Sequence, residues 1–495
     1  MANYLIGVLL IVLFAGSRGT ASPQCDRLSA LVLPNATITL VRAVAAGTVE
    51  PSFTAPAAFC RVAATLKPTA DSDIKIEVWM PVDGWNGKFQ AVGNGAFSGA
   101  IAYGAMRTAL ARGYATASTD TGHTGNTASF APGHPEKVVD FGWRAVHEMT
   151  IAAKRIITAH YEQAPRYAYW NGCSAGGRQA MQEAQRFPAD FDGIVAGAPG
   201  LDWTGRAGQA LRVAKPLETS EAARLPQAAR VLLHEAALHA CDALDGVKDG
   251  LIGDPERCRF DPAVLQCASA TATGCLTSAQ VETARRIYAS ATNPKTGREI
   301  GGLQPGSELG WTDLGWTASA RATGLDQFRF VVFADPAWTV ARFDFDADIA
   351  RADTVDGGTI NALDPNLAPF FDRGGKLIQY HGWSDPQISP SNSTAYYRRV
   401  LAALGGKADV AASHRLFMVP GMGHCGGGEG PNTFDMLAAL ERWVEQRQAP
   451  DQIPAAHSTG GRVDRTRPLC PFPRVATYKG SGSTDEAANF VCAPS

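Results

Sequence analysis

Excess charge is absent from this sequence. Lys and Arg number 45 against 47 Asp and Glu, a formal net charge of −2 over 495 residues. Nothing therefore points to a nucleic-acid partner or an anionic membrane surface. Beyond the N-terminus there is no apolar run of the ~20 residues that a bilayer span requires. No CxxC pairs recur at zinc-ligand spacing, which speaks against a cysteine-based metal site. Internal repeats and long low-complexity tracts are missing too. What remains is an ordinary globular balance, 45% hydrophobic and 19% charged.

Glycine and proline are plentiful, 51 and 30 residues, which favours a loop-rich α/β or β architecture over a helical bundle. A chain of this length suits one large domain with an insertion, or two domains. It opens on MANYLIGVLLIVLFAGSRGTASPQC, whose apolar run from Tyr4 to Ala15 ends in small residues near Gly19-Thr20-Ala21. That is the length of a signal-peptide core, and residues 1–21 are assigned to one. No Lys or Arg precedes the run, so a buried helix and an uncleaved anchor are the competing readings. The expectation is a secreted protein, extracellular or periplasmic, with no membrane segment once the signal is removed. All ten cysteines (Cys25, Cys60, Cys173, Cys241, Cys258, Cys267, Cys275, Cys425, Cys470 and Cys492) lie after that point. An even number in an exported chain favours disulfides over free thiols. Sequence order suggests neighbours such as Cys241 with Cys258 and Cys267 with Cys275, although spacing alone does not fix connectivity.

Strands and helices alternate through the first part of the mature chain. IKIEVWMP and KFQAVGNG read as strands, and YATASTDTGHTG follows a helical stretch as the next strand and loop. GWRAVHEMTIAAKRIITAHY carries apolar residues at helical spacing. Then come the strand RYAYW, a GCSAG turn, the helix GRQAMQEAQRF and the buried strand GIVAGAP. This alternation is the signature of a mostly parallel sheet. It fades from about Leu201 to Asp353, where four cysteines, several Trp and an Asp/Gly-rich loop replace clear strands. It resumes with GGKLIQYHGWSDP, SNSTAYYRRVLAAL, HRLFMVPGMGHCGGG and NTFDMLAALERWVEQ. The simplest division is one α/β domain, residues 22–200 and 354–495, interrupted by an inserted lid at 201–353.

The chemistry centres on Gly172-Cys173-Ser174-Ala175-Gly176. A nucleophile elbow needs small residues two before and two after its serine, because the strand-to-helix turn is sharp and crowded. The hydroxyl then projects above the sheet edge while the following N–H groups point at a developing oxyanion. A bare GxSxG is weak evidence; a strand before and a helix after strengthen it. Such a serine needs a base and an orienting acid, supplied in this fold class in the order Ser, Asp, His. Asp385 in YHGWSDP falls just past a strand end, whereas Asp364, Asp372 and Asp435 fall before a strand or on a predicted helix. His424 in PGMGHCGGG falls in a glycine-rich loop after a strand. His381 is the rival base, and equally a packed, hydrogen-bonded histidine.

Cys173 beside the serine could be a nucleophile, a metal ligand or half of a disulfide. Cys425 stands directly after His424 just as Cys173 stands directly before Ser174. If serine and histidine meet, their neighbours are close as well, and a bridge needs Cα atoms only ~4.4–6.8 Å apart. A Cys173–Cys425 disulfide would clamp base to nucleophile across a very long loop. A nucleophilic Cys173 would instead require a free thiol in an oxidising compartment.

The Cys-Ser … Asp … His-Cys arrangement resembles the tannase and feruloyl esterase family of secreted α/β-hydrolases, which also includes enzymes acting on terephthalate monoesters. VGNGAFSG, DFGWRAVHEMT, WNGCSAGGRQAMQEAQRFPADFDGIVAGAPG, GGKLIQYHGWSDPQISP and PGMGHC extend the likeness over nearly the whole mature chain. The resemblance implies an α/β-hydrolase fold with a large inserted lid, a triad of Ser174, Asp385 and His424, and a Cys173–Cys425 bridge. It implies the pairs Cys25–Cys60, Cys241–Cys258, Cys267–Cys275 and Cys470–Cys492. It also implies an oxyanion hole from the N–H of Ala175 and one from the loop Gly93-Asn94-Gly95-Ala96, taken as Gly95. The family often carries a second glycine where this chain has Ala96.

The lid holds CDALDGVKDGLIGDPERC. Asp242, Asp245 and Asp249 can converge on a hard cation, with backbone carbonyls near Val247 and Leu251 completing an oxygen shell. No glutamate stands at the twelfth position, so this is not an EF-hand. Taken alone, such a turn is more often a solvated loop. The resemblance implies a structural Ca2+ here, which folds the lid and takes no part in the chemistry. The aromatic-rich FRFVVFADPAWTVARFDFD reads equally as a face for an aromatic acyl group or as lid core, and Arg329 within it is left unassigned. Asn35 and Asn392 head glycosylation tripeptides that also arise by chance.

The reading that follows is a secreted serine carboxylester hydrolase acting on esters of aromatic acids, foremost feruloyl (hydroxycinnamoyl) esters from plant material. Its substrate would be a small aromatic ester or one released from a plant polymer. Galloyl esters and terephthalate monoesters are the alternatives with the same chemistry. A non-catalytic binding module is the alternative of another class, against which the intact Ser/Asp/His set argues. A protease is a further alternative that composition does not exclude.

Overall fold

In the computed structural model, which describes residues 23–269, 272–405 and 410–494, the alternation resolves into one nine-stranded sheet. In chain order its strands are β1 (Ala36–Val44), β2 (Phe59–Leu66), β3 (Ile74–Pro81), β4 (Lys88–Val92), β5 (Ala115–Thr119), β6 (Tyr167–Cys173), β7 (Gly193–Gly197), β8 (Lys376–Gly382) and β9 (His414–Val419). Across the sheet they lie β1-β2-β3-β5-β4-β6-β7-β8-β9. The first four in that order pair antiparallel. From β5 onward all neighbours are parallel. The apolar N-terminal run read as a signal peptide lies outside the described residues.

The parallel half needs apolar side chains on both faces, because helices cover both. Alternation in β6 and β7 shows how this works. Ala168, Trp170, Ile194 and Ala196 join the core beneath helix α1 (Ala145–Tyr161), whose Val146, Met149, Ala153, Ile156 and Ile157 recur at helical spacing. Tyr169 and Val195 point the other way, into the core with Ile378, Phe417 and Leu440. The residue between two buried neighbours is therefore itself buried, and the strands read as short apolar runs. Strand β1, at the sheet edge, shows instead the half-exposed alternation of a one-sided strand.

Between Trp203 and Asp356 the chain forms five helices of nine residues or more. They carry apolar clusters of their own, one around Leu217, Leu233, Ile287 and Trp316, another around Phe328, Trp338, Phe343 and Ile349. The aromatic-rich segment therefore supplies lid core through Phe328, Trp338 and Phe343. Beyond Gln446 the described chain adds no strand to the sheet, meeting its edge only at an isolated bridge between Pro471 and Phe417 of β9. It makes two antiparallel hairpins, Ile453–Thr459 with Arg462–Leu469 and Arg474–Tyr478 with Phe490–Pro494. The alternating pattern there serves a local two-stranded ribbon, which sequence periodicity does not distinguish from a sheet strand.

Five disulfides join Cys25–Cys60, Cys173–Cys425, Cys241–Cys258, Cys267–Cys275 and Cys470–Cys492, and no described cysteine is free. Among the described residues no helix is long and apolar enough to cross a membrane.

Candidate active site

Strand β6 runs directly into Ser174, and helix α2 (Ala175–Arg186) starts at the next residue. Ser174 sits at φ 64 and ψ −120, a conformation that costs a non-glycine residue ~1–3 kcal/mol. The surroundings over-determine it. The Ser174 N–H donates to the Gly197 carbonyl at 2.9 Å, and its own carbonyl accepts from Arg178 at 3.0 Å and Gly200 at 3.2 Å. A Cβ on Gly172 would lie 2.6 Å from the Gly176 carbonyl oxygen, and one on Gly93 would lie 2.5 Å from Gly176 Cα. The glycines are thus there because backbone passes against backbone.

Asp385 follows β8 and is wholly buried. One carboxylate oxygen accepts the N–H groups of Gln387 at 2.7 Å and Ile388 at 3.0 Å. The other faces His424 Nδ1 at 2.7 Å and His381 Nε2 at 3.0 Å. Burial alone would raise the pKa of this group. The charge and hydrogen bond of His424, with those of His381, outweigh burial and hold the carboxyl well below the usual carboxylate range. His381 is fully buried, with Nδ1 on Ser393 Oγ at 2.8 Å, so the rival base is a packed histidine behind the acid. Of the rival acids, Asp435 caps a helix by accepting from Ala438 N–H, and Asp364 accepts from Asn366 N–H. Asp372 ends a short helix.

His424 and Ser174 line one narrow cleft. With Nδ1 committed to Asp385, Nε2 is the ring nitrogen left for the serine. No hydrogen bond joins Ser174 Oγ to His424 among the described residues, a common looseness in sites without substrate. Cys173 and Cys425 hold the two neighbouring residues with their Cα atoms 6.0 Å apart.

The amide of Ala175 makes no hydrogen bond among the described residues. In the facing loop the Gly93 and Asn94 amides are committed to Asn171 O and Gln179 Oε1. That leaves Gly95 and Ala96 as donors, and of these Ala96, at φ 44, lines the cleft with Ser174. The resemblance points to Gly95, and Ala96 joins it as a candidate because it lines the cleft. The sequence singled out none of Trp203, Arg206, Ser319 and Thr323, which line the cleft from the 201–353 segment. Arg329 donates from Nε to the Trp338 carbonyl at 3.1 Å and does not line the cleft.

The lid aspartates share one loop beside a cavity bounded by Trp383, Arg467 and Phe490. Asp242 accepts from the amides of Asp249 and Gly250, Asp245 from Val247, and Asp249 from Leu251. Asp249 also pairs with Arg467. Asp245 has no cationic partner within 4 Å, and burial together with Asp249 and Asp242 pushes it up to about 7. Three carboxylates against one arginine is an oxygen donor set of the hard-cation type. Their oxygens do not all converge within 4.8 Å; among the described residues the group that does is His147, Glu183 and Asp190, remote from the lid loop in sequence.

A nucleophile elbow on a largely parallel sheet, with an acid after one later strand and a histidine after the next, defines a hydrolase of the α/β class. The family model for tannase and feruloyl esterase matches residues 60–493. An uncharacterized esterase of Xanthomonas campestris is 39% identical over 99% of this chain and 93% of its own length. Mono(2-hydroxyethyl) terephthalate hydrolase of Piscinibacter sakaiensis is 35% identical over 96% of this chain and 92% of its own. The crystal structure of feruloyl esterase B from Aspergillus oryzae superposes with a TM-score of 0.90 at 31% identity, covering 95% of this chain and 99% of that one. The chain belongs to the tannase and feruloyl esterase family and is a carboxylic ester hydrolase.

Proposed function

We propose that this protein is a secreted serine esterase that cleaves esters of aromatic acids, foremost hydroxycinnamoyl esters, through Ser174, His424 and Asp385. The observation that carries the reading is the Asp385–His424 hydrogen bond at 2.7 Å in a cleft that Ser174 also lines. His424 Nε2 takes the Ser174 proton as Oγ attacks the ester carbonyl. It returns that proton to the departing alcohol, leaving an acyl-serine that water hydrolyses by the same route. Asp385 fixes the imidazole so that Nε2 is the basic nitrogen. The amides of Ala175 and of Gly95 or Ala96 receive the developing oxyanion. Five disulfides support an oxidising compartment.

In the lid, Asp242, Asp245 and Asp249 with the carbonyls of Val247 and Leu251 would hold a Ca2+, which supplies a crosslink of the loop when bound. The name of the Piscinibacter relative favours a second substrate, a terephthalate monoester. Wild type and Ser174→Ala assayed on methyl ferulate, methyl gallate and mono(hydroxyethyl) terephthalate test the whole reading. The variant should lose at least about 10⁴-fold in kcat. Wild-type turnover by Ser174→Ala, or no turnover of any ester by the native enzyme, would sink it.

A further inference from the structure

Arg206 is the unusual charge of the catalytic cleft. It lies one turn into the helix Trp203–Thr219, is 5% exposed, and lines the same cleft as Ser174 and His424. Its guanidinium lies 4.7 Å from the Trp203 ring centroid. Nη2 donates to Thr323 Oγ1 at 3.0 Å, while Nε has no hydrogen-bond partner. Among the described residues no carboxylate oxygen comes within 4 Å of it. Burial draws its pKa down to about 10, with Asp385 and Asp202 opposing at longer range, so the group is still a cation near neutral pH.

Other arginines of low exposure have carboxylate partners. The partly buried Arg298 is paired with Asp202 and Asp353, and the buried Arg467 with Asp249, although each keeps one nitrogen without a partner. Arg178 is wholly buried but donates from Nη1 and Nη2 to the carbonyls of Phe141, Gly142 and Ile360, with Nε alone unpartnered. A buried cation is ordinarily paired, because an unpaired one forfeits its hydration without return. Arg206 alone among these four stands against the cleft in which the ester must bind, with donors left over. A guanidinium in that state matches an anionic oxygen.

We propose that Arg206 is a specificity residue whose guanidinium binds an anionic oxygen carried by the substrate, either a carboxylate or an acidic phenol on the aromatic acid. The proposal rests on the ester-hydrolase reading above and names the substrates within it. Arg206 acts in binding: Ser174, His424 and Asp385 carry out the bond changes with or without it. Its removal therefore raises KM for charged substrates and spares kcat for neutral ones.

The test compares methyl benzoate with monomethyl terephthalate, which adds a carboxylate, and methyl ferulate with its 4-O-methyl ether, which loses the phenol. Wild type should prefer the member that carries the carboxylate or phenol in at least one pair by about 100-fold in kcat/KM. Arg206→Gln should erase that preference, losing far more in kcat/KM on the member that carries the carboxylate or phenol than on its partner and losing it through KM, and Arg206→Lys should restore part of it. The pair that responds tells a carboxylate from a phenol. Equal losses on both members of each pair, or no preference in wild type, would overturn the proposal. Calorimetric binding of benzoate against benzamide to wild type decides the matter if the variant fails to fold or the esters are not turned over. Benzoate should bind at least about 10-fold tighter, and equal binding overturns the anion site. Failure of the hydrolase reading appears separately, as wild type inert toward methyl benzoate and methyl ferulate alike.

Discussion

Cutting the Cys173–Cys425 bridge should damage catalysis more than its effect on stability suggests. The bridge spans 252 residues, for which the chain-entropy relation gives about 5 kcal/mol at 25 °C. That is an upper figure, since two further disulfides and the lid clusters already order the same loop. A loss near 3 kcal/mol is expected, which for a chain of this size lowers Tm by about 3 °C. Catalysis faces a different demand. Ser174 and Cys425 both hold positive-φ backbone, at 64° and 63°, and release of the bridge lets the His424 loop relax away from the elbow. A displacement of ~1 Å at a reacting group costs about 10²-fold in rate. The double variant Cys173→Ser/Cys425→Ser, which leaves no odd thiol, should therefore show kcat on methyl ferulate reduced about 100-fold with KM little changed. Cys267→Ser/Cys275→Ser is the control. Its loop of 8 residues is worth about 2.5 kcal/mol by the same relation, so Tm should fall while kcat holds. If both double variants keep full kcat, the bridge positions nothing and the reasoning fails.

Asp385→Asn should lower kcat by about 10⁴-fold with KM nearly unchanged, since the amide stabilises neither the needed tautomer nor the imidazolium; a loss under tenfold would remove Asp385 from the mechanism. EDTA, or Asp245→Asn, should lower the melting temperature before it alters kcat at 25 °C, and an unchanged melting curve would count against a lid cation. His234 joins lid Glu308 at 3.0 Å to Glu429, on the His424 loop, at 3.1 Å. Burial opposes its charge, but the two carboxylates prevail and raise it to about 9. Its pKa is thus raised on folding, so the stabilisation is complete below the ordinary histidine range and lost as pH rises through about 9. Glu429 is 59% exposed, so screening reduces the effect to about 1–2 kcal/mol. Native protein should lose that stability in urea titrations between pH 7 and 10, and His234→Gln should show no such step.

What could be read in the sequence was whatever chemistry is written in neighbouring residues. The elbow is local: Gly172 and Gly176 leave room for crossing backbone, and the strand and helix flank them in order. Asp385 and His424 follow strand ends, where parallel-sheet topology gathers side chains at one edge. The repeated Cys beside each catalytic candidate carried long-range information in a local pattern, and that made a weak motif specific. What could not be read depends on torsions and on partners distant in sequence. Ala96 lines the cleft with a backbone φ of 44°, which composition does not disclose. The stretch WTGRAGQ shows an arginine in an amphipathic helix, where a solvated face is the ordinary expectation. Its burial is imposed by Trp203 beside it and by Thr323, 117 residues later. The lid is where such distant contacts concentrate, because its helices bury mainly against one another and its side chains close the cleft from above. On the proposed reading the β6 elbow and the two loops after β8 and β9 set which bond is broken. Arg206, on the helix Trp203–Thr219, stands at that cleft with a donor unpartnered, and as proposed it selects which ester arrives there.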